Sequence, residues 1–225
     1  MKRLNSVLMT AMIAWSCNSA SSGGSSSASS ADGEKPSKKK PTGQVTTKES
    51  VVGSWKSSCI IDPTIPAAAT PEYTQSTLTI DGGGQLTSQT EHYHDENCAD
   101  ASKIVTIDRQ IGTSTFGSVS KYVEGSIDFD LNISKFLVQP RLADKAKALE
   151  SLSSKLEKPA CKALVFQPNQ DTDMTACIEP PTTYRLIKVS GTKLQLGSCY
   201  GQNNCASKET RSKTLDIIVY TKVKT

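Results

Sequence analysis

The sequence predicts a mainly β protein, an antiparallel barrel with one amphipathic helix packed on it. Three observations predict that fold class. From Val51 onward, apolar and polar residues alternate in short runs separated by brief turns rich in glycine and serine. Helical spacing of apolar residues occurs in one place, between Pro140 and Pro159. Of the seven cysteines, only Cys17 falls outside this stretch, and an even set within it is the pattern of a body stapled by disulfides.

The chain before that body has two parts. Lys2 and Arg3 precede a short apolar run from Leu4 to Trp15, the layout of a signal peptide over residues 1–16. The run is too short to span a bilayer, and no later stretch approaches the roughly 20 apolar residues that spanning needs. Ile13-Ala14-Trp15-Ser16-Cys17 resembles a bacterial lipobox, which implies lipid attachment at Cys17 after cleavage. Ser16 fits that pattern, whereas Ala14 stands where leucine is usual. Cleavage as an ordinary signal near Ser19 or Ala20 is the alternative. Asn18 lacks the aspartate that resembles an inner-membrane retention signal, so the expected address is the outer membrane, on its periplasmic side or at the cell surface. Residues 17–50 are rich in serine, glycine and lysine and poor in large apolar side chains, as expected of a flexible tether. Signal and tether hold seven of the 26 basic and three of the 22 acidic residues, so the body over 51–225 carries 19 of each. A neutral body implies no steering field, and nucleic acid is not an expected partner.

Val51 to Lys56 opens the body as a strand, and Tyr73 to Ile80 follows with Leu78 and Ile80 on one face. Asp81-Gly82-Gly83-Gly84 reads as a hairpin turn leading into a strand from Gln85 to about His94. Ile104, Val105 and Ile107 mark a fourth strand, and Gly117 to Val123 a further short one. Ser126 to Asn132 alternates strictly, which buries Ile127, Phe129 and Leu131 and turns Asp128 and Asp130 outward. Phe136 to Val138 returns as another strand. Leu142, Ala146, Leu149, Leu152 and Leu156 then form the apolar stripe of the helix, and strands resume at Tyr184–Val189, Lys193–Gly197 and Leu215–Lys222. Eight or more closely connected antiparallel strands suggest a closed barrel, which leaves no exposed edge.

Gly53-Ser54-Trp55 at the start of the first strand resembles the G-x-W motif of lipocalins and their calycin relatives. Arg211, shortly before the last strand, resembles the arginine that closes such barrels by packing over the tryptophan. Trp55 to Cys59, Tyr93 to Cys98, the helix, Cys161, Cys177, Tyr184 to Val189, Leu194 to Gly197 and Arg211 occur in the order seen in two groups. These are the lipocalin-like extracellular domains of vertebrate Wnt-inhibitory membrane glycoproteins, and bacterial lipoproteins with similar barrels. The Cys199 to Cys205 loop has no counterpart there, and no proline follows Arg211. The resemblance implies a lipocalin-like β-barrel whose interior holds a small apolar or lipid-like molecule, and Leu78, Ile80, Tyr93, Ile107, Ile127, Phe129 and Leu131 are the residues expected to line it.

The body cysteines are Cys59, Cys98, Cys161, Cys177, Cys199 and Cys205, and six cysteines allow fifteen pairings. Pairing 59 with 98, 161 with 177 and 199 with 205 would tie strand ends to loops, although spacing alone leaves connectivity open. No Cys-x-x-Cys spacing occurs, so zinc is not expected. His92 and His94 fall on one strand face beside Asp95 and Glu96, but without a third ligand they read as solvent-facing groups near a strand end. Asp128 and Asp130 resemble an acid–base pair only in type, since period-two exposure accounts for them. No nucleophile elbow, phosphate-binding loop or Ser/His/Asp set is present, so neither catalysis nor a cofactor is expected. The expectation is a monomeric, lipid-anchored binding module, with a solid-cored structural or protein-interaction lipoprotein as the alternative.

Overall fold

A computed structural model describes residues 45–62, 70–177, 182–199 and 204–224. The expected signal peptide, Cys17 and nearly all of the tether lie outside the described residues. A four-residue helix, α1 (Lys48–Val51), precedes β1 (Gly53–Ser57) and β2 (Ile60–Ile61). β3 (Tyr73–Ile80), β4 (Gln85–Tyr93), β5 (Ile104–Val119) and β6 (Ile127–Pro140) follow. Helices α2 (Ala143–Ser153) and α3 (Pro159–Lys162) lead to β7 (Thr172–Asp173), then β8 (Thr182–Ser190), β9 (Lys193–Gly197) and β10 (Leu215–Lys222).

Eight of these strands form a closed antiparallel barrel. Each pairs with its neighbour in the chain from β3 through β4, β5, β6, β8 and β9 to β10, and β1 pairs with both β3 and β10. The two-residue strands β2 and β7 are appended to β3 and β6. Meander connectivity makes the two ends unlike. One, the turn end, holds α1 and the short connections 81–84, 120–126 and 191–192. The other, the loop end, holds the four long connections, and all three disulfides lie there.

Elements legible as separate runs turn out to be continuous. β5 spans the two short runs around Ile104 and Gly117, and β6 joins Ile127–Leu131 to Phe136–Val138. Bulges explain the misreading, because register shifts at Ile111/Gly112 and Phe116/Val119 reset the alternation that marks a strand. The Gly84 turn is as expected. Gly84 adopts φ +87°, and Asp81 Oδ1 accepts from the Gln85 amide at 2.8 Å. The folded body also begins earlier than residue 51: Thr46 is buried, donating from its amide and its hydroxyl to Gly125 O at 2.9 and 2.6 Å. Val51 belongs to α1 rather than β1, and its side chain is fully buried.

The main core gathers Val51, Trp55, Leu78, Ile80, Leu86, Ile127, Phe129, Leu131, Ile133, Ile187, Val189, Leu194, Leu196 and Tyr220. These come from α1 and from every barrel strand except β5, whose Phe116 packs against them. A second cluster puts Ala146 and Leu149 of α2, with Phe166 and Met174, over Phe136 and Val138 of β6. The expected helix is thus present, shorter than its apolar stripe: Leu142 is exposed and Leu156 lies in the turn that follows. No helix among the described residues is long and apolar enough to cross a membrane.

Trp55 is the largest fully buried side chain, and its indole N–H donates to Val51 O at 2.8 Å. Trp55→Ala is expected to cost about 3–5 kcal/mol through lost burial and the space left behind. Urea unfolding followed by circular dichroism measures it.

Candidate ligand site in the barrel interior

Cross-strand partners share a face of the sheet, so pairing register identifies the interior residues. Trp55 pairs with Leu78, Leu78 with Ser88, Ser88 with Gln110 and Gln110 with Phe136. One step toward the loop end, Ser76 pairs with Thr90, Thr90 with Asp108 and Asp108 with Val138. The interior face of β3, β4 and β5 therefore changes character along the strands. Near the turn end it is mainly apolar, with Leu78, Ile80, Leu86 and Phe116 and with Ser114 bonded to Gly84 O, and near the loop end it is polar.

Leu78, Ile80, Ile127, Phe129 and Leu131 sit in the main core as expected. They pack against one another and against Trp55 and Tyr220, and none is more than 5% exposed. Tyr93 and Ile107 are placed differently. They join Ile104, Tyr73, Cys59 and Cys98 in a separate cluster beneath the Cys59–Cys98 disulfide. In β5 the interior positions are Thr106, Asp108 and Gln110, so Ile107 points outward. Tyr93, two residues past Glu91 and paired with Tyr73, shares that outward face, and its hydroxyl donates to Glu91 Oε2 at 2.6 Å. Burial and that carboxylate together push the Tyr93 hydroxyl well above its ordinary range.

The polar half of the interior is partly self-satisfied. Ser57 Oγ accepts from the Ser76 amide at 2.9 Å, and Ser76 Oγ lies 2.9 Å from Thr90 Oγ1. Arg185, opposite Phe129, is 3% exposed and donates to Gly197 O at 3.4 Å. Asp216 is 4% exposed, beside an outward Ile217, and its Oδ1 accepts from the Ile218 amide. Burial raises the Asp216 carboxyl above its usual range, against the opposing charge of Arg185. Ser88 Oγ, Thr183 Oγ1 and Asp216 Oδ2 are buried with no hydrogen-bond partner among the described residues.

The loop-end rim is built from ion pairs that sequence spacing did not suggest. His92 lies between Asp62, with Nδ1 to Oδ2 at 3.4 Å, and Asp108, with Nε2 to Oδ2 at 3.1 Å. Its side chain is only 18% exposed, so it is not the solvent-facing group expected. Burial pulls the His92 pKa down, but the charge and hydrogen bond of Asp108, helped by Asp62, outweigh it and raise it from 6.5 to about 10. His94 turns elsewhere, to Glu72 at 3.9 Å, and Lys145 of α2 pairs with the same Glu72. That ion pair ties the helix to the rim. Among the described residues no cluster of His, Cys, Asp and Glu is arranged to hold a metal.

Trp55 and Arg211 do not form a pair. Arg211 lies on the outer face of β6, with Nη1 2.6 Å from Asp130 Oδ1 and Nε 3.5 Å from Asp128 Oδ2. It also donates to Arg185 O at 2.8 Å and sits over the Tyr184 ring. The cation over Trp55 is Lys222, directly opposite it in the β1–β10 register, with Nζ 5.1 Å from the ring centroid. Asp128 and Asp130 face outward as expected, where they hold Arg211.

Three disulfides are formed: Cys59–Cys98, Cys161–Cys177 and Cys199–Cys205, with Cα atoms 5.7, 5.7 and 5.3 Å apart. The third holds a loop that takes over where β9 ends. The Tyr184 amide donates to Cys205 O, the Ser212 amide to Tyr184 O, and Ser212 Oγ accepts from the Leu186 amide at 2.9 Å. Gly197 makes room for this crossing, since a Cβ there would collide with Ser212. Three disulfides are the mark of a protein that matures in an oxidising compartment outside the cytosol. No protein-family model matches the chain, and no curated protein matches it.

Because His92 binds its proton more tightly folded than unfolded, its stabilising contribution is complete below pH 6.5 and is lost as pH rises through about 10. NMR titration of the imidazole is expected to give a midpoint near that upper value. Asp108→Asn is expected to lower it, and a His92 that titrates near 6.5 in the unaltered chain would refute the assignment.

Proposed function

We propose that this chain is an exported, lipid-anchored binding module whose ligand sits in the loop-end half of the barrel and is held there by hydrogen bonds. The observation that carries the reading is the change in polarity along the interior. A barrel that only had to be stable would line its whole interior with aliphatic groups, because buried polar atoms without partners cost about 1–3 kcal/mol each. Here Ser88, Thr183 and Asp216 turn such atoms inward. Their cost is recovered when a ligand supplies the missing partners.

The same observation refines the ligand class. A wholly apolar occupant suits the resemblance to lipocalin-like barrels, yet the aliphatic part of this interior is taken up by the protein's own side chains. The ligand is therefore a small molecule with hydrogen-bonding groups, amphipathic rather than purely hydrocarbon. Attachment through Cys17, residence at the outer membrane and action without chemical conversion belong to the same proposal. They rest on the lipobox-like stretch, the disulfides and the polar interior.

A second reading has its own support. Ala146 and Leu149 of α2 cover Phe136 and Val138, as a permanent plug would, and the long connections gather at one end as an interaction surface does. Native mass spectrometry of the purified chain separates the two. The binding reading expects a co-purifying small molecule whose occupancy falls at least about tenfold in a Ser88→Ala, Thr183→Val variant whose melting temperature does not fall, since each lost hydrogen bond is worth about 1 kcal/mol. No bound molecule, together with no uptake of a fluorescent fatty acid, would sink it and leave the solid barrel.

A further inference from the structure

We infer that the turn end of the barrel is a docking face for an anionic bilayer. Although the body is neutral as a whole, its charge is unevenly placed. Lys48, Lys121, Lys188, Lys193, Lys222 and Lys224 belong to α1, the turn-end connections and the adjoining strand ends, against Glu49, Asp81, Glu124 and Asp128. All but Lys188 among these lysines are exposed.

Four exposed apolar side chains stand at the same end, although Ile61, Leu142 and Val165 are exposed at the other. Val45, Val119, Tyr122 and Val223 are 41, 59, 44 and 41% exposed. Tyr122 carries two cations over its ring, Lys121 at 5.2 Å and Lys213 at 5.7 Å. A tyrosine flanked by lysines suits a bilayer interface, where the ring meets the headgroup region and the ammonium groups meet lipid phosphates. Singly, such residues mean little. Their coincidence with the basic end is what selects a membrane.

The point where the chain enters supplies the independent argument. Val45 is joined to the 44 residues that precede it, and Thr46 is hydrogen-bonded to Gly125 in the β5–β6 connection. The segment running back to Cys17 therefore joins the body at this basic end, and its sequence includes Lys35, Lys38, Lys39 and Lys40. A lipid on Cys17 would bring the turn end toward the bilayer, and charge would hold it there.

The inference deepens the anchoring part of the proposal, so its test uses a chain that cannot be acylated and the two can fail separately. Full-length protein with Cys17→Ser is sedimented with vesicles of phosphatidylcholine alone and of phosphatidylcholine with phosphatidylglycerol. Tighter binding to the anionic vesicles is expected, weakening as salt is raised. Lys121→Glu, Lys193→Glu, Lys224→Glu in that chain is expected to cut the preference on the order of a hundredfold, as each lysine near an anionic surface contributes about 1 kcal/mol. Lys155→Glu, Lys158→Glu, Lys162→Glu at the loop end is expected to leave it intact. A milder Lys→Gln triple at the first three positions, checked by thermal melting, guards against misfolding. Equal affinity for both vesicles, or equal loss from the loop-end variant, would overturn the inference.

Discussion

β1 is only five residues long, yet it is paired along both sides, to β3 and to β10. Closure of the barrel depends on this strand, since without it the sheet would end in two open edges. Trp55 fixes its register. Its ring pairs with Leu78 on one side and lies under Lys222 on the other, and its N–H reaches the carbonyl of Val51 in α1. A slip of one residue would turn this indole out of the core and place Ser54 or Lys56 inside, which burial of a tryptophan forbids. The helix that precedes β1 follows from the same contact, because Val51 must enter the core for its carbonyl to meet the indole.

Once the turn end is sealed by this arrangement, the loop end is free to differ. At the turn end Leu, Ile, Phe and Tyr side chains need no other support. At the loop end the interior carries Ser, Thr, Gln, Asp, His and Arg, and the architecture there relies on disulfides and ion pairs. Cross-links do the work that apolar packing does below. Cys59–Cys98 fastens the end of β1 to the β4–β5 connection, and Lys145 with Glu72 fastens α2 to the rim. Such a division leaves polar groups inside the barrel without surrendering the fold.

The same division explains what the sequence made legible. Strict alternation at Ile127, Phe129 and Leu131 reported an interior face correctly because that face is aliphatic. In β5 and β10 the rule inverts. Ile107 and Ile217 stand on the outside while Asp108 and Asp216 stand within, so apolarity marks the wrong face wherever the interior is polar. Bulges hide strand continuity in β5 and β6 for a related reason, since each resets the period by one residue. Arg211 was misplaced because a family pattern was carried onto it. Its actual partners are Asp128 and Asp130, whose outward placement the alternation of that strand does predict. Nothing in the spacing of His92, Asp62, Glu72 and Lys145 brings them together, as the β2–β3 connection, strand β4 and helix α2 deliver them to one rim.

An orientation follows from these asymmetries. The N-terminal segment joins at the turn end, where the core is sealed and no ligand can pass between Trp55, Phe129 and Tyr220 without unpacking them. On the proposed binding reading, entry is at the opposite end, past α2 and the disulfide-bonded connections. On the proposed docking, the barrel rests on its sealed base and presents its polar half to the medium. Such a geometry suits capture of a solute from outside the bilayer better than extraction of a lipid from within it. It also makes the ion pair of Lys145 with Glu72 the contact to loosen first, since α2 is the element lying over the interior face of β6.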